Sequence, residues 1–250
     1  MAHFVGLDVS VTLAAVGDLF GGRIEMSDSS GMAIFRYFAE EEHARALIKQ
    51  GRVRFCTLGT YHVFEDKEVR RDPSDGLLRY KPEGGVTINQ GDRTFQNNLA
   101  FASVVKVNDI YVYCMSNRLS EELAARFNSP FCVEIQHCLG FVGRIRRHVR
   151  LRSQLDHANV FARPIDYRGL GREPGADWAL PERLAFIKPK AFAWQDEFRV
   201  VIGNKGALGV ENVDTHLEAD GHNLAVAYEE RDPLVLQLGD LSRIATLRRF

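Results

Sequence analysis

Short apolar runs rich in β-branched and aromatic residues recur along this chain, and turn residues separate most of them. Runs of this length with alternating polar positions are typical of β-strands. Helical periodicity appears in only a few places, such as residues 39–51, where Gly51 ends the pattern. Because strands outnumber helices and do not alternate regularly with them, the sequence predicts an α+β fold with a largely antiparallel sheet and a few flanking helices.

The first 31 residues differ in character from the rest of the chain. They are mildly apolar, but Asp8 and Asp18 interrupt them and no basic segment precedes them, so neither a signal peptide nor a membrane helix is predicted. We interpret residues 1–31 as an N-terminal appendage with a polar linker, and residues 32–250 as a single α+β domain. A chain of 250 residues that is 45% hydrophobic can bury a sizeable core.

Charge and cysteine content limit the partners and the compartment. The formal net charge is -1, so no overall field draws the protein to nucleic acid or to a membrane, and such a partner would need a local patch. We expect no membrane partner, and no feature of the sequence indicates an oligomeric state. The four cysteines form no C-x-x-C pair, which favours buried thiols in a reducing compartment and predicts a cytoplasmic protein.

An acid stands inside one of the predicted strands, in the segment FAWQDEFRVVIG at residues 192–203. Alternation places Phe198, Val200 and Ile202 on one face of that strand, and Glu197 and Arg199 on the other. The ordinary interpretation is a solvated face on which Glu197 and Arg199 pair with neighbouring strands.

Three separate segments give a second interpretation of this acid. Gln195-x-Glu197 opens the late strand, Arg36 lies in the first strand (IFRYF), and Ser116 ends a central strand (YVYCMS). Together they resemble the three-part signature of the ADP-ribosyltransferase superfamily, in which an arginine or histidine, a serine or tyrosine, and a late glutamate line one NAD cleft. Residues 32–203 also look like a group of uncharacterised bacterial and phage proteins that share the patterns aromatic-Arg-Tyr, C-x-S and K-P-x-x-F-x-x-Q-x-E-F-R.

The resemblance implies a split antiparallel sheet and NAD as the bound nucleotide. Glu197 would stabilise the positive charge that develops on the ribose when the nicotinamide bond breaks. Arg36 would bind the diphosphate, and Ser116 would orient the ribose or the glutamate. We therefore expect the side chains of Arg36, Ser116 and Glu197 to point into one pocket.

Further roles follow from the same resemblance. Tyr37 or Tyr61 would stack on nicotinamide, and Gln195 would orient the acceptor. The implied activity is transfer of ADP-ribose to an unknown acceptor, or hydrolysis of NAD, in a bacterial toxin or a phage-conflict effector.

A competing enzyme hypothesis uses the charged segment EDKEVRRDPSDG at residues 65–76. The candidate ligands among its acids are Glu65, Asp66, Asp72 and Asp75. Several carboxylates on one loop could hold Mg²⁺ for phosphodiester hydrolysis, which would make the protein a nuclease. The alternative is a solvated loop that its own lysine and arginines neutralise.

A third hypothesis is a non-catalytic module that binds nucleic acid or protein on the same fold. The helical segment before residue 150 buries Phe141, Ile145 and Val149 at helical spacing, and its arginines are expected to face outward. These candidate phosphate ligands are Arg144, Arg146, Arg147 and Arg150. We predict no metal site: Glu134, His137 and Cys138 are close in sequence but lack an evident fourth ligand.

Overall fold

The computed structural model describes residues 32–63, 72–90, 92–169, 172, 175–219, 229 and 231–250. Within these residues the fold is α+β and the sheets are mostly antiparallel, so this prediction is confirmed. The predicted appendage lies outside the described residues, as do residues 223–228 of the segment NLAVAYE, which the sequence predicts to be a strand. The strands are β1 Ile34–Phe38, β2 Arg52–Thr57, β3 Leu77–Tyr80, β4 Val86–Gln90, β5 Arg93–Asn97, β6 Leu99–Val104, β7 Ile110–Ser116, β8 Phe131–Ile135, β9 Leu155–Pro164, β10 Asp166–Arg168, β11 Ile187–Pro189, β12 Glu197–Asn204, β13 Asp214–Ala219, β14 Leu234–Gln237 and β15 Ala245–Arg249. The helices are α1 Glu41–Gln50, α2 Leu58–Val63, α3 Glu121–Arg126, α4 Cys138–Val149 and α5 Pro181–Leu184, and 3₁₀ turns span Gly175–Ala179, Lys190–Gln195 and Val210–Asn212.

Strand β7 is the centre of an eight-stranded sheet. One of its edges pairs along its whole length with β12, and β12 pairs in turn with β9. Its other edge is shared by two strands, because β1 pairs at Ser116 and β2 pairs at Tyr111 and Val112. Beyond them, β8 and β15 extend the sheet from β1, while β14 extends it from β2.

The shared edge makes the sheet split. Between the pairing sites of β1 and β2, residues 113–115 of β7 have neither strand as a partner. A carbonyl or amide at such a position must find a side chain or water instead. The split therefore creates a position for a polar side chain beside β7.

Each face of the sheet has its own core, because strand side chains alternate. The first core cluster joins α1 and α4 to one face of the strands, and it includes Ile34, Tyr113, Phe141, Phe198 and Val200. The second core cluster covers the other face with α2, α5 and the segment before β11, and it includes Leu58, Val112, Leu184, Phe186 and Val201. Both faces of the central strands are thus buried.

Smaller sheets lie beside the main one. Strands β13, β6 and β3 form a three-stranded sheet, and β10 pairs in parallel with β11. Strands β4 and β5 form a hairpin, as the turn dipeptide Gly91-Asp92 within GVTINQGDRTFQ predicts. The glycine predicted to end α1 does so, because Gly51 adopts φ 62 in the left-handed region, where a side chain would be strained.

Candidate active site

The predicted serine and glutamate meet on adjacent strands. Ser116 at the end of β7 is in register with Glu197 at the start of β12. On its other edge, Ser116 is in register with Phe35 of β1. Directly opposed residues of antiparallel strands share a face, so Phe35, Ser116 and Glu197 lie on the same face of the sheet. As predicted, Glu197 faces away from Phe198, which belongs to the first core cluster.

Glu197 belongs to a network of charged side chains that we call the ionic cluster. Its members are Asp72, Asp75, Lys188, Glu197 and Arg199. The two oxygens of Glu197 accept from different cations, at 2.7 Å from Arg199 Nε and 2.9 Å from Lys188 Nζ. Both terminal nitrogens of Arg199 donate to Asp75, Nη1 to Oδ1 at 2.7 Å and Nη2 to Oδ2 at 3.0 Å. Asp72 completes the cluster, with its Oδ2 4.0 Å from Lys188 Nζ.

The ionic cluster is buried, which corrects the expectation of a solvated face. Glu197 is 4% exposed, Lys188 5%, and Asp75 and Arg199 0%. The second core cluster closes over them: Arg199 also donates to the carbonyl oxygen of Ala185, at 2.7 Å, and Ala185 is itself buried. Charges in such a place are stable only when they are paired and hydrogen-bonded, and the network supplies those partners.

The carboxyl groups of Glu197 and Asp72 have different pKa values. Burial alone would raise the pKa of Glu197, but Arg199 and Lys188 outweigh burial and lower it to about 2. Burial raises the pKa of Asp72 to about 6, and the neighbouring Asp75 adds to the rise against the attraction of Lys188. Below about pH 6 the folded protein therefore holds a proton on Asp72.

We expect Asp72→Asn to stabilise the protein above about pH 6, by up to about 3 kcal/mol, and to change little near pH 4. The raised pKa means that the folded state holds the Asp72 proton to higher pH than the unfolded chain does. The free energy of unfolding of the native protein therefore falls by up to about 3 kcal/mol as pH rises from about 4 to about 6. The Asp72→Asn variant has no carboxyl group to titrate at this position, so its free energy of unfolding does not fall for this reason. Urea unfolding at a series of pH values measures the difference.

Asp156→Asn is the matched control. Asp156 accepts a hydrogen bond from the amide two residues later, as Asp72 does from Ser74, but it lies outside the ionic cluster. The control should show no comparable gain with pH. Equal pH profiles for Asp72→Asn and the native protein would show that Asp72 titrates normally.

The turn before Glu197 is fixed by the end of β7. Gln195 contacts the ionic cluster, since its Oε1 accepts from Lys188 Nζ at 3.1 Å. Asp196 has φ 43, a left-handed conformation that is uncommon outside glycine. Asn117 holds it, with its backbone amide 2.8 Å from the Asp196 carbonyl oxygen. Ser116 Oγ lies 3.2 Å from the carbonyl oxygens of Gln195 and Asp196, so Ser116 orients the turn that carries Glu197.

Arg36 does not join this group. The residue of β1 in register with Ser116 is Phe35, and the next side chain leaves the strand on the opposite face. The Arg36 guanidinium accordingly lies over the ring of Tyr113, 4.9 Å from its centroid. The expected convergence of Arg36, Ser116 and Glu197 on one pocket is therefore not what the structure shows.

The position of Arg36 has a structural explanation in the split of the sheet. Its Nη1 donates to the carbonyl oxygen of Cys114, in the stretch of β7 that pairs with neither β1 nor β2. Arg36 thus satisfies a main-chain acceptor that the split leaves without a strand partner.

The two candidate tyrosines lie in different places. Tyr37 Oη accepts from the amide of Ser120, at 2.8 Å, and its ring stacks on Phe250, so it anchors the start of α3 rather than the ionic cluster. Tyr61 lies on α2, packs against the second core cluster and accepts from Cys114 Sγ at 3.5 Å. Tyr37 shares the strand face of Phe35, so both tyrosines lie on the side of the sheet that carries Glu197, but of the two only Tyr61 packs against the second core cluster.

The arginines of α4 fall into two groups. Arg144 Nη1 donates to the carbonyl oxygen of Asp240, at 2.6 Å, and Arg146 Nη2 donates to that of Val160, at 3.0 Å. Both are half-buried, which corrects the expectation that they face outward. Arg147 and Arg150 are exposed as predicted.

The acidic loop is only partly described. Glu65 and Asp66 lie outside the described residues, whereas Asp72 and Asp75 are buried in the ionic cluster. The solvated interpretation is therefore wrong for these two aspartates. In the described part of the chain, no three histidine, cysteine or acidic side chains group so that they could hold a metal ion. Glu134 pairs with Arg248, and His137 caps α4 by accepting from Gly140 at 2.8 Å.

Lys188 and Arg199 are the functional candidates that sequence reasoning left out of the site. Both stand in the pattern K-P-x-x-F-x-x-Q-x-E-F-R, which spans residues 188–199. That pattern carries the signal, because it places a lysine and an arginine on either side of the glutamate. Asp75 has no comparable signal, since its contact with Arg199 joins positions 124 residues apart.

No protein family, curated protein or solved structure matches the chain. Across the helices that the structure describes, none has the length and apolar character needed to cross a membrane.

Proposed function

We propose that the protein is an ADP-ribosyltransferase-like enzyme that cleaves the nicotinamide bond of NAD at the ionic cluster and passes ADP-ribose to an acceptor or to water. One observation carries the proposal: Glu197 and Asp72 flank a single lysine with pKa values near 2 and near 6. Two carboxylates whose surroundings push their pKa values apart are the usual basis of separate catalytic roles. This activity would suit a bacterial toxin or a phage-conflict effector.

The two carboxylates have distinct parts in this chemistry. The bond between ribose C1′ and the nicotinamide nitrogen breaks, and its electron pair leaves with neutral nicotinamide, so no acid is needed. Glu197, ionised at all ordinary pH values, stabilises the positive charge on the ribose. The acceptor oxygen then bonds to C1′, and its proton passes to the carboxylate of Asp72, whose pKa of about 6 suits a general base.

Asp72 is free to take that proton. Its Oδ1 accepts from the amide of Ser74, but its buried Oδ2 has no hydrogen-bond partner in the described structure. A buried acceptor without a partner is unfavourable in a resting protein. Such an atom fits a site in which a substrate hydroxyl or a water supplies the missing contact.

Aromatic side chains lie where the ionic cluster comes nearest to the protein surface. Asp72, Asp75 and Arg199 are fully buried, whereas Gln195 keeps 7% exposure. Partly exposed rings stand there: Tyr167 Oη accepts from the Glu197 amide at 2.9 Å, and the Phe192 ring lies 5.3 Å from Lys188 Nζ. Flat aromatic surfaces suit the stacking of a nicotinamide ring.

Nicotinamide release tests the proposal directly. Purified protein incubated with NAD should release nicotinamide, and the rate should rise as pH passes through about 6, because Asp72 must be ionised to act as a base. Chromatography detects nicotinamide, and added nucleic acid or protein tests acceptors. If the protein neither binds NAD by calorimetry nor releases nicotinamide with any acceptor, the ionic cluster serves the fold alone.

A further inference from the structure

The last turn of α4 and the residues after it present three exposed arginines, Arg147, Arg150 and Arg152. We call them the arginine row. Unlike Arg144 and Arg146, which donate to main-chain carbonyls, they make no side-chain hydrogen bond or ion pair with the described residues. Guanidinium groups held at one end of a rigid helix without carboxylate partners are available to an anionic ligand.

Lys205 adds a positive charge beside the arginine row, and the nearby acid forms no ion pair with it. Exposed Lys205 lies alongside, because its backbone amide donates to the carbonyl oxygen of Gln154, at 3.0 Å. The nearby acid, Asp156, accepts hydrogen bonds from the amide of Ala158 and from Asn159 Nδ2. The net charge of the whole chain is only -1, so this local concentration of cations stands out against a nearly neutral protein.

We infer that the arginine row binds the phosphates of a nucleic-acid strand. Arg147 and Arg150 are three positions apart, which brings their side chains side by side on one helical face, and Arg152 extends the row. Repeated guanidinium groups match a ligand with repeated phosphates, since each can bind two phosphate oxygens. Leu151, 76% exposed, offers an apolar surface between two of the arginines.

A membrane fits this surface less well. Binding to a bilayer needs an amphipathic helix whose apolar face is free to enter the lipid. The apolar face of α4 is buried in the first core cluster through Phe141, Ile145 and Val149, each 0% exposed. Among the described residues, Leu139 on α4 and Leu151 just after it are exposed, at 37% and 76%, but they are twelve positions apart and form no continuous apolar face, so the binding energy must come mainly from charge.

The arginine row is independent of the proposed catalytic chemistry. Helix α4 packs on the face of the sheet that carries Tyr113 and Phe198, whereas Glu197 lies on the opposite face. Nucleic acid bound to α4 is therefore held away from the ionic cluster. Its binding needs neither NAD nor nicotinamide release.

Fluorescence anisotropy with a short labelled single-stranded RNA, and with DNA of the same sequence, tests the inference. Three neutralised phosphates on a single strand predict that log K falls against log salt with a slope of about -2. The double variant Arg150→Gln/Arg152→Gln should lose more than half of that slope and bind roughly tenfold more weakly in low salt.

The double variant Arg52→Gln/Arg54→Gln is the matched control. It removes the same charge from exposed arginines of β2, whose neighbours Val53 and Phe55 face the first core cluster, so these arginines lie on the face away from α4. The control should bind as the native protein does, and equal thermal unfolding curves confirm that both variants fold. No binding by the native protein at about 50 mM salt overturns the inference. So does an equal loss in both variants, or binding to phosphatidylserine vesicles in preference to the oligonucleotides.

Discussion

Glu197→Gln is expected to slow nicotinamide release by about 10²- to 10³-fold, or roughly 3 to 4 kcal/mol of transition-state stabilisation. The amide keeps the size of the side chain but loses the charge that, in the proposed mechanism, faces the ribose in the transition state. Because that charge matters more in the transition state than in the ground state, NAD affinity should change little. Calorimetric NAD binding and nicotinamide release on the same preparation separate the two effects.

The control must account for stability, because Glu197 is buried and paired with Lys188 and Arg199. Glu218→Gln provides it: Glu218 is 8% exposed and 2.8 Å from Arg79, on a different sheet. Both variants should unfold more easily than the native protein, but only Glu197→Gln should lose turnover at a temperature where both are folded. Equal rates for both variants would mean that Glu197 acts only through the fold.

Local patterns predicted the elements of the fold better than their arrangement. Strand patterns identified β1, β7 and β12, and the apolar stripe ending at Gly51 identified α1, because these patterns depend only on neighbours in sequence. Helix α2, with the sequence LGTYHV, contains a glycine and β-branched residues, and its start is capped by Thr57, whose Oγ1 accepts from the Thr60 amide at 3.3 Å. Leu58 also packs it into the second core cluster, which the local sequence does not indicate.

The prediction that Arg36 would point toward Ser116 and Glu197 was wrong because the sequence does not give the register between β1 and β7. Alternation within a strand tells which residues share a face of that strand, but not which residue of the neighbouring strand lies opposite. A single position decides the outcome here: Phe35, not Arg36, is opposite Ser116. Gln195 and Glu197 are close together because their motif is local, and Ser116 lies beside them because its strand ends where β12 begins.

Three members of the ionic cluster belong to separate hypotheses drawn from the sequence, and the fold brings them together. The sequence assigned Glu197 to an NAD site, and Asp72 and Asp75 to an acidic loop, as rival hypotheses. A loop rich in charge is ordinarily solvated, and nothing local to Asp75 indicates that Arg199 will bind it from 124 positions away. Only the tertiary structure shows that these acids surround the same two cations.

The ionic cluster also makes the fold dependent on complete pairing. Arg199 is 0% exposed and joins Asp75, Glu197 and the Ala185 carbonyl. A buried ion pair adds little net stability compared with apolar residues of similar size, because burying each charge is costly. Removing one partner is different, since it leaves the other charge buried without compensation.

Arg199→Met should therefore lower the free energy of unfolding by about 3 to 5 kcal/mol, measured by urea unfolding at neutral pH. The double variant Asp75→Leu/Arg199→Met should be more stable than Arg199→Met, because the uncompensated carboxylate is gone while Lys188 still pairs with Glu197. Arg79→Met, at a pair whose arginine is 19% exposed, should cost about 1 kcal/mol or less. A cost at Arg199 no larger than that at Arg79 would mean that water reaches the cluster and screens its charges. Its carboxylates would then have near-normal pKa values, and the separate catalytic roles proposed for Glu197 and Asp72 would lose their physical basis.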